Sequence, residues 1–356
     1  MPLNREQVYS ALRSVKDPEL HKDIVSLNMV KDVRVDGRSV SVHVELTTPA
    51  CPLKDHIRRD VESAVRGAGA DSVAVEFSAN TRGNFAPQAD KLPQVKNIIA
   101  VGAGKGGVGK STIAVNLAVG LARFGSQAGL MDGDIYGPSI PTMLGLHGVP
   151  PQVRGPRMAP HFVHGIHAVT IGSLVEEDKP LIWRGPMAHN AFKNLLLDHT
   201  DWPELDYLVV DLPPGTGDVP LSLCQLLPLT GAVVVATPQQ VALDDAIRAV
   251  RMFEHLGVPI LGIVENMSYF VGPDGAEHDI FGRGGAQRAA QQLGVPYLGG
   301  LPMFTALRIN SDSGNPSANF EGDERLKSAL EAIVQNLAAQ VSVRNMQAAV
   351  PELNIL

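Results

Sequence analysis

Lys110 and Ser111 close a glycine-rich stretch, Gly104-Lys105-Gly106-Gly107-Val108-Gly109-Lys110-Ser111-Thr112, whose spacing satisfies G-x-x-x-x-G-K-[ST]. Glycines lack Cβ atoms, so backbone N–H groups in such a loop can approach an anion closely. A helix beginning at its end adds the positive end of a dipole. A lysine in this place reaches the β- and γ-phosphates of a nucleoside triphosphate, and the neighbouring hydroxyl ligates Mg²⁺. Three carboxylates are candidates to work beside the loop. Asp132 and Asp134 follow the short apolar run Ala128-Gly129-Leu130-Met131, and Asp211 ends Tyr207-Leu208-Val209-Val210. Of Asp132 and Asp134, one can orient or deprotonate the attacking water and the other can hold Mg²⁺; capping the next turn is the alternative for either. Asp211 is the second acid expected on the Mg²⁺ side. It leads into Leu212-Pro213-Pro214-Gly215-Thr216-Gly217-Asp218, a loop able to touch a γ-phosphate near Gly215 and to change shape when it leaves. Asn266, in Glu265-Asn266-Met267-Ser268-Tyr269-Phe270, offers a side-chain amide to an adenine edge, or serves as a turn residue.

These groups need a parallel sheet to carry them. Ile98-Ile99-Ala100-Val101 before the loop and Ile113-Ala114-Val115-Asn116-Leu117 after it read as strand and helix. Further apolar strands are expected at 128–131, 166–171, 205–211, 232–238 and 258–264, with helices over 241–255, 286–293 and 325–341. Repeated strand–helix alternation implies parallel strands with crossover helices on both faces, an α/β class. Glu265 and Asn266 fall just past the strand at 258–264. Ahead of this domain, Val8, Leu12 and Val15 keep helical spacing, Val40, Val42, Val44 and Leu46 alternate, and Leu53, Ile57, Val61 and Val65 return to helical spacing. Val73, Val75 and Phe77 alternate again. The expected organisation is a small α+β domain at 1–79, a linker at 80–96, the nucleotide domain at 97–341 and a tail at 342–356.

Composition excludes several classes. The 356 residues carry a net charge of −7, against a broad nucleic-acid footprint. No apolar stretch is long enough to span a bilayer, and the N-terminus lacks the apolar core of a signal peptide. His147, His161, His164, His167 and His189 lack metal-ligand spacing. With only two cysteines, Cys51 and Cys224, no disulfide framework exists, and a reducing cytoplasm is the expected compartment. Pro52 suits a first helical position, which would put Cys51 at a helix N-cap. The dipole would there favour its thiolate as a metal or cluster ligand; a small buried hydrophobe is the alternative. Cys224 sits amid apolar residues and reads as core.

With Lys105 inside it, the loop resembles the deviant Walker A motif of the P-loop ATPase group containing MinD, ParA and nitrogenase iron protein. Asp134-Ile135-Tyr136-Gly137-Pro138-Ser139, the loop after Asp211 and the Glu265-Asn266-Met267-Ser268-Tyr269 stretch narrow this to the Mrp/ApbC branch, the iron–sulfur cluster carrier ATPases. The N-terminal unit, with Thr47-Thr48-Pro49-Ala50-Cys51-Pro52, is similar to the MIP18-type domain often fused to them. The resemblance spans essentially the whole chain. It implies ATP and Mg²⁺ as cofactors and a homodimer in which Lys105 reaches the partner's nucleotide. It makes Asp134 the water-orienting residue and Asn266 the adenine contact. It also implies a [4Fe–4S] cluster delivered to apo-proteins together with cluster-assembly factors; the acidic net charge and the tail set the expectation of no nucleic-acid or membrane partner.

One departure stands out. Carriers of this branch usually have Cys-x-x-Cys shortly after the Asn-Met-Ser stretch, where two subunits share a cluster. Here that place reads Gly272-Pro273-Asp274-Gly275, which offers no thiolate. Cys51, one thiolate per subunit, becomes the better candidate ligand, and an adaptor that holds no cluster becomes the rival function. A positioning ATPase acting on membrane or DNA fits less well, because the tail from Val341 carries only Arg344 before Pro351.

Overall fold

Two hydrophobic periods divide the chain. The computed structural model describes residues 3–18, 20–81, 83, 92–134, 137–155, 157–170, 192–193, 197, 199–272 and 274–348. It separates into two compact units, Met1–Arg82 and Gly83–Leu356. Residues 84–91 of the connecting segment, Ile135, Tyr136, Ile171, His189, Pro273 and the tail from 349 lie outside the described residues.

In the first unit α1 (Arg5–Leu12) starts at a reciprocal cap: Gln7 N donates to Asn4 Oδ1 at 2.8 Å, and Asn4 N donates to Gln7 Oε1 at 3.0 Å. β1 (Val30–Asp36) and β2 (Ser39–Leu46) form an antiparallel hairpin. α2 (Lys54–Gly67) crosses over to β3 (Ser72–Ala79), parallel to β2. The helix buries Ile57, Val61 and Val65, and β2 buries Val40, Val42, Val44 and Leu46. The expected cap at Cys51 is not formed. The N-cap of α2 is Leu53, and the first helical bond runs from Ile57 N to Leu53 O at 2.8 Å. Pro52 is spent in the turn ahead of the helix, so Cys51 stands two residues outside the cap.

The second unit follows the βα alternation. β4 (Ile98–Gly102) enters the glycine-rich loop, then α3 (Lys110–Arg123), β5 (Ala128–Asp132) and the short α4 (Ile140–Met143). β6 (Gln152–Arg154) and β7 (Arg157–Ala159) make a separate two-stranded ribbon. β8 (His161–Val163) and β9 (Ile166–Thr170) form an antiparallel hairpin. That hairpin accounts for the histidine series: His161 lies on β8, His164 turns at φ 52°, and His167 lies on β9. β10 (Tyr207–Asp211), α5 (Asp218–Leu226), β11 (Gly231–Ala236), α6 (Gln240–His255) and β12 (Ile260–Val271) continue the alternation. They are followed by β13 (Glu277–His278), α7 (Gly285–Leu293), β14 (Tyr297–Met303), α8 (Thr305–Asp312), a 3₁₀ turn (Pro316–Phe320) and α9 (Glu324–Ala348). Two elements outrun their expected ends. β12 continues past 264 through Asn266 to Val271, and α9 continues past Val341 to Ala348.

Among the described residues the main sheet runs β13-β12-β11-β4-β10-β5-β9-β8, with β14 also on β12. All its pairs are parallel except β12–β13 and β8–β9. One face of the strands, Ile98, Ala100, Leu208, Val210, Ala232 and Val234, packs with Leu223 of α5, Val250 and Phe253 of α6 and Ala286 of α7. The alternate residues face α3 and α9, which pack on the sheet and on each other. The fold is thus α/β with a mostly parallel sheet and helices on both faces.

α3 owes its seat to Gly120. A Cβ added there would lie 2.5 Å from Val334 Cγ2 and 3.1 Å from Phe320 Cζ, both on stiff side chains. Gly120→Ala gains about 1 kcal/mol of helix propensity but forces overpacking of about 1–3 kcal/mol. Denaturant unfolding of the variant should therefore show a net loss of stability; a rise would mean that the α3–α9 contact is looser than described.

Candidate nucleotide-binding site

The loop between β4 and α3 turns on glycines: Gly107 (φ 81°) and Gly109 (φ 80°) hold left-handed backbone, and Gly109 is the N-cap of α3. Gly109 also meets a spatial limit, because a Cβ there would overlap Asn266 Nδ2. The backbone N–H groups of residues 104–112 donate to no group among the described residues. A curved run of free amides opening a helix is a cradle for an anion.

Beside it lies a compact charged cluster. Lys110 Nζ is 2.6 Å from Asp211 Oδ1 and 3.6 Å from Asp134 Oδ2, and Ser111 Oγ donates to Asp211 Oδ2 at 2.5 Å. The Lys110 side chain is 6% exposed, that of Asp211 0% and that of Asp134 11%. Burial raises the pKa of Asp211, against the pull of Lys110 and Ser111. Sheet register explains the meeting: Asp211 pairs with Val101 on β4 and with Asp132 on β5, so both strand-end acids stand at the level of the loop.

Asp132, expected beside Mg²⁺, turns its carboxylate to the protein. Oδ1 accepts from Asp134 N at 3.1 Å and Oδ2 from Thr170 Oγ1 at 2.9 Å, and the residue is fully buried. Burial first, and the charge of Asp211 second, push its pKa up to about 8. Asp132 therefore shapes the Asp134 turn, and the partner that fixes it, Thr170, lies on β9. Lys105 is half-buried and forms no ion pair among the described residues.

Asn266 is buried on β12, with Nδ2 donating to Val108 O at 2.8 Å. It lines a cavity of about 490 Å³ that opens from Gly109 and Thr112 and is walled by Met267, Phe270, Phe304 and Leu307. Its shape and apolar lining suit a nucleoside next to the phosphate cradle. An asparagine ladder, absent from the sequence reading, holds the far wall. Asn116 Nδ2 donates to Thr112 O at 2.8 Å, Asn319 Nδ2 to Asn116 Oδ1 at 2.9 Å, and Asn310 Nδ2 on α8 to Asn319 Oδ1 at 2.9 Å. Glu265, given no role of its own from the sequence, is fully buried beside Asn266 on β12. The available signal was an acid continuing an apolar strand.

The two thiols differ. Cys224 is buried on α5 and burial pushes its thiol up to about 12, which withholds a thiolate. Cys51, in the other unit, is half-buried. Gly272 and Gly275 lie at the start of the β12–β13 hairpin, where Gly272 N donates to Ala276 O at 2.8 Å. No group of three metal-binding side chains occurs among the described residues.

A family model described as NUBPL iron-transfer P-loop NTPase matches residues 94–338, and one described as iron-sulfur cluster assembly protein matches residues 5–77. The chain is 48% identical over 354 residues to the iron-sulfur cluster carrier protein of Synechocystis sp., covering 96% of this chain and 99% of that one. It is 44% identical over 306 residues to the iron-sulfur cluster transfer protein NUBPL of Dictyostelium discoideum, covering 84% and 94%. Among solved structures it is similar to the nucleotide-binding protein of Archaeoglobus fulgidus in complex with ADP, with a TM-score of 0.57 and 36% identity over 64% of this chain and 90% of that one. The cell division ATPase MinD of Pyrococcus furiosus shares the fold, at a TM-score of 0.51, 20% identity and coverage of 67% and 97%.

The Asp132 environment has a measurable consequence. The folded chain holds its proton up to about pH 8, whereas an unfolded aspartate releases it near 3.8, so stability falls as pH rises through that window. The slope approaches about 1 kcal/mol per pH unit. Asp132→Asn keeps an acceptor for Asp134 N and gives Thr170 a donor in place of an acceptor. The variant should lose this slope between pH 5 and 8 in thermal unfolding; parallel wild-type and variant curves would contradict the assignment.

Proposed function

The chain belongs to the NUBPL-type iron-transfer P-loop NTPase family, and from that premise we propose that it is a homodimeric, Mg²⁺-dependent ATPase that carries or assembles iron–sulfur clusters for apo-proteins. The observation that carries the ATPase reading is the Lys110–Asp211–Ser111 cluster at the mouth of the free amides of 104–112. An incoming triphosphate takes Lys110 from Asp211 and lays its oxygens on the amides. That leaves the Asp211 carboxylate and the Ser111 hydroxyl, hard oxygen donors that suit Mg²⁺. Held by Asp211 and Ser111, Mg²⁺ would supply positive charge that offsets the negative charge of the phosphates. Asp134, near Lys110, orients the attacking water, and the turn that places it is fixed by Asp132. Asn266 reads the base from the cavity wall. Lys105, without an ion-pair partner among the described residues, serves the nucleotide of the second subunit in the manner of an arginine finger.

A [4Fe–4S] cargo takes four ligands, usually cysteine thiolates. With Cys224 buried and Gly272 and Gly275 in the hairpin, this chain offers Cys51 alone, so two subunits supply two ligands and the rest come from other donors. The same observation supports the second reading, a nucleotide-switched adaptor that binds apo-targets or assembly partners without a cluster. Either function suits a cytoplasmic protein, and among the described residues no helix is long and apolar enough to cross a membrane.

Lys110→Ala should abolish ATP binding in calorimetry, and unchanged affinity would refute the site. Lys105→Ala should bind ATP nearly normally while its turnover falls by about a thousandfold or more, the scale of an arginine finger; normal turnover would remove the argument for a lysine acting across the dimer. Anaerobic reconstitution with iron and sulfide separates carrier from adaptor. The carrier forms a chromophore with acid-labile sulfide that Cys51→Ser eliminates, and the adaptor forms none.

A further inference from the structure

β12 does not simply end at the nucleotide cavity. Its register against β14 slips between Asn266 and Phe270, and Met267 holds φ 55°, a left-handed backbone that is costly for a residue with a side chain. The chain then makes an excursion through the β13 hairpin and returns at α7. Glu265 closes that excursion. Its carboxylate accepts from Ser268 Oγ at 2.6 Å on the outgoing side, and from Gly284 N at 2.9 Å and Ala286 N at 2.8 Å on the returning side. The N-cap of α7, Gly284, has no side chain to cap with, so a glutamate from the sheet supplies the acceptor. Arg283 forms a second clasp, lying 4.1 Å over the Tyr269 ring and bonded to Glu277 at 2.6 Å.

Asn266 stands between these ties, and sheet pairing is interrupted by the bulge between it and Phe270. We infer that Glu265 is the positioning residue that holds the Asn266 amide on Val108 O, and hence sets how strictly the cavity reads its base. This rests on the reading of Asn266 as the base contact. A glutamate that merely caps α7 would affect stability; a positioning glutamate also changes base discrimination.

The test uses the full chain with Asn266→Ala, Glu265→Gln, Ser268→Ala and the Glu265→Gln/Asn266→Ala double variant, and measures ATP and GTP affinities, steady-state kinetics and thermal unfolding. The amide introduced by Glu265→Gln keeps a carbonyl for one side of the tie but presents N–H to Ala286 N–H. Glu265→Gln should weaken ATP binding by about tenfold and move the ATP-to-GTP affinity ratio toward that of Asn266→Ala, with kcat at saturating ATP little changed. Ser268→Ala, which leaves the α7 tie intact, should move the ratio the same way by a smaller factor, and carries the test should Glu265→Gln fail to fold. The double variant should discriminate no worse than Asn266→Ala alone, because both act on one contact. An unchanged ratio in folded Glu265→Gln or Ser268→Ala, or losses that simply multiply in the double variant, would overturn the inference. An unchanged ratio in Asn266→Ala would instead refute the base contact on which it rests.

Discussion

A buried ammonium dominates the chemistry of this fold. Lys110 lies inside the protein at the N-terminus of α3, where the helix dipole opposes positive charge, and an unpaired ion there would cost several kcal/mol. Asp211 and Asp134 offset that cost at 2.6 and 3.6 Å, and Asp211 is in turn held by Ser111. Because the pair is buried, neither partner can be released to water cheaply. A group that removes Lys110 from Asp211 must bring comparable negative charge, and Asp211 must then receive comparable positive charge. A triphosphate accompanied by a divalent cation meets both conditions together, and neither alone meets both. In the proposed cycle, the demand for Mg²⁺ follows from this charge balance as much as from coordination chemistry.

The same parallel sheet that brings Asp211 to the loop explains the separate behaviour of Asp132. The two residues pair across β10 and β5, so two carboxylates approach in a dry interior. One is compensated by Lys110; the other holds its proton to about pH 8 and bonds Thr170 and the Asp134 amide. Burial raises both acids, but the one cation, Lys110, pairs directly with Asp211 alone.

Legibility in the sequence tracked the distance over which each interaction acts. The loop was readable because its geometry is local: glycines, lysine and hydroxyl within a few residues, between an apolar strand and a helix. The βα alternation and the strand-end position of Asp211 followed from periodicity. The hydrogen bonds of Asp132 to Thr170 and to the Asp134 amide are not legible, because Thr170 sits on β9, beyond any local pattern. Cys51 was placed at a cap because proline suits both a first helical position and the turn before it, and the chain takes the second. β12 outruns the apolar run that ends at 264, because Glu265 and Asn266 are polar and Asn266 suits a turn as well as a strand. Both are buried, satisfied by Gly284, Ala286 and Val108 from distant parts of the chain.

The asparagines show how the nucleoside and phosphate ends of the site are joined. On one wall Asn266 bonds Val108 O within the loop. On the other, Asn310 of α8 reaches Thr112 O through Asn319 and Asn116, all within hydrogen-bond distance. Amides serve here because each presents a donor and an acceptor and so extends a chain without burying charge. Both walls of the cavity therefore refer to the same short segment, residues 108–112, that also presents the amides and Lys110. In the proposed site, a base seated against Asn266 and α8 would fix the segment that grips its phosphates, and a displaced phosphate loop would withdraw both walls. On that reading, recognition of the two halves of a nucleotide is one mechanical event, built from neutral hydrogen bonds around one buried charge.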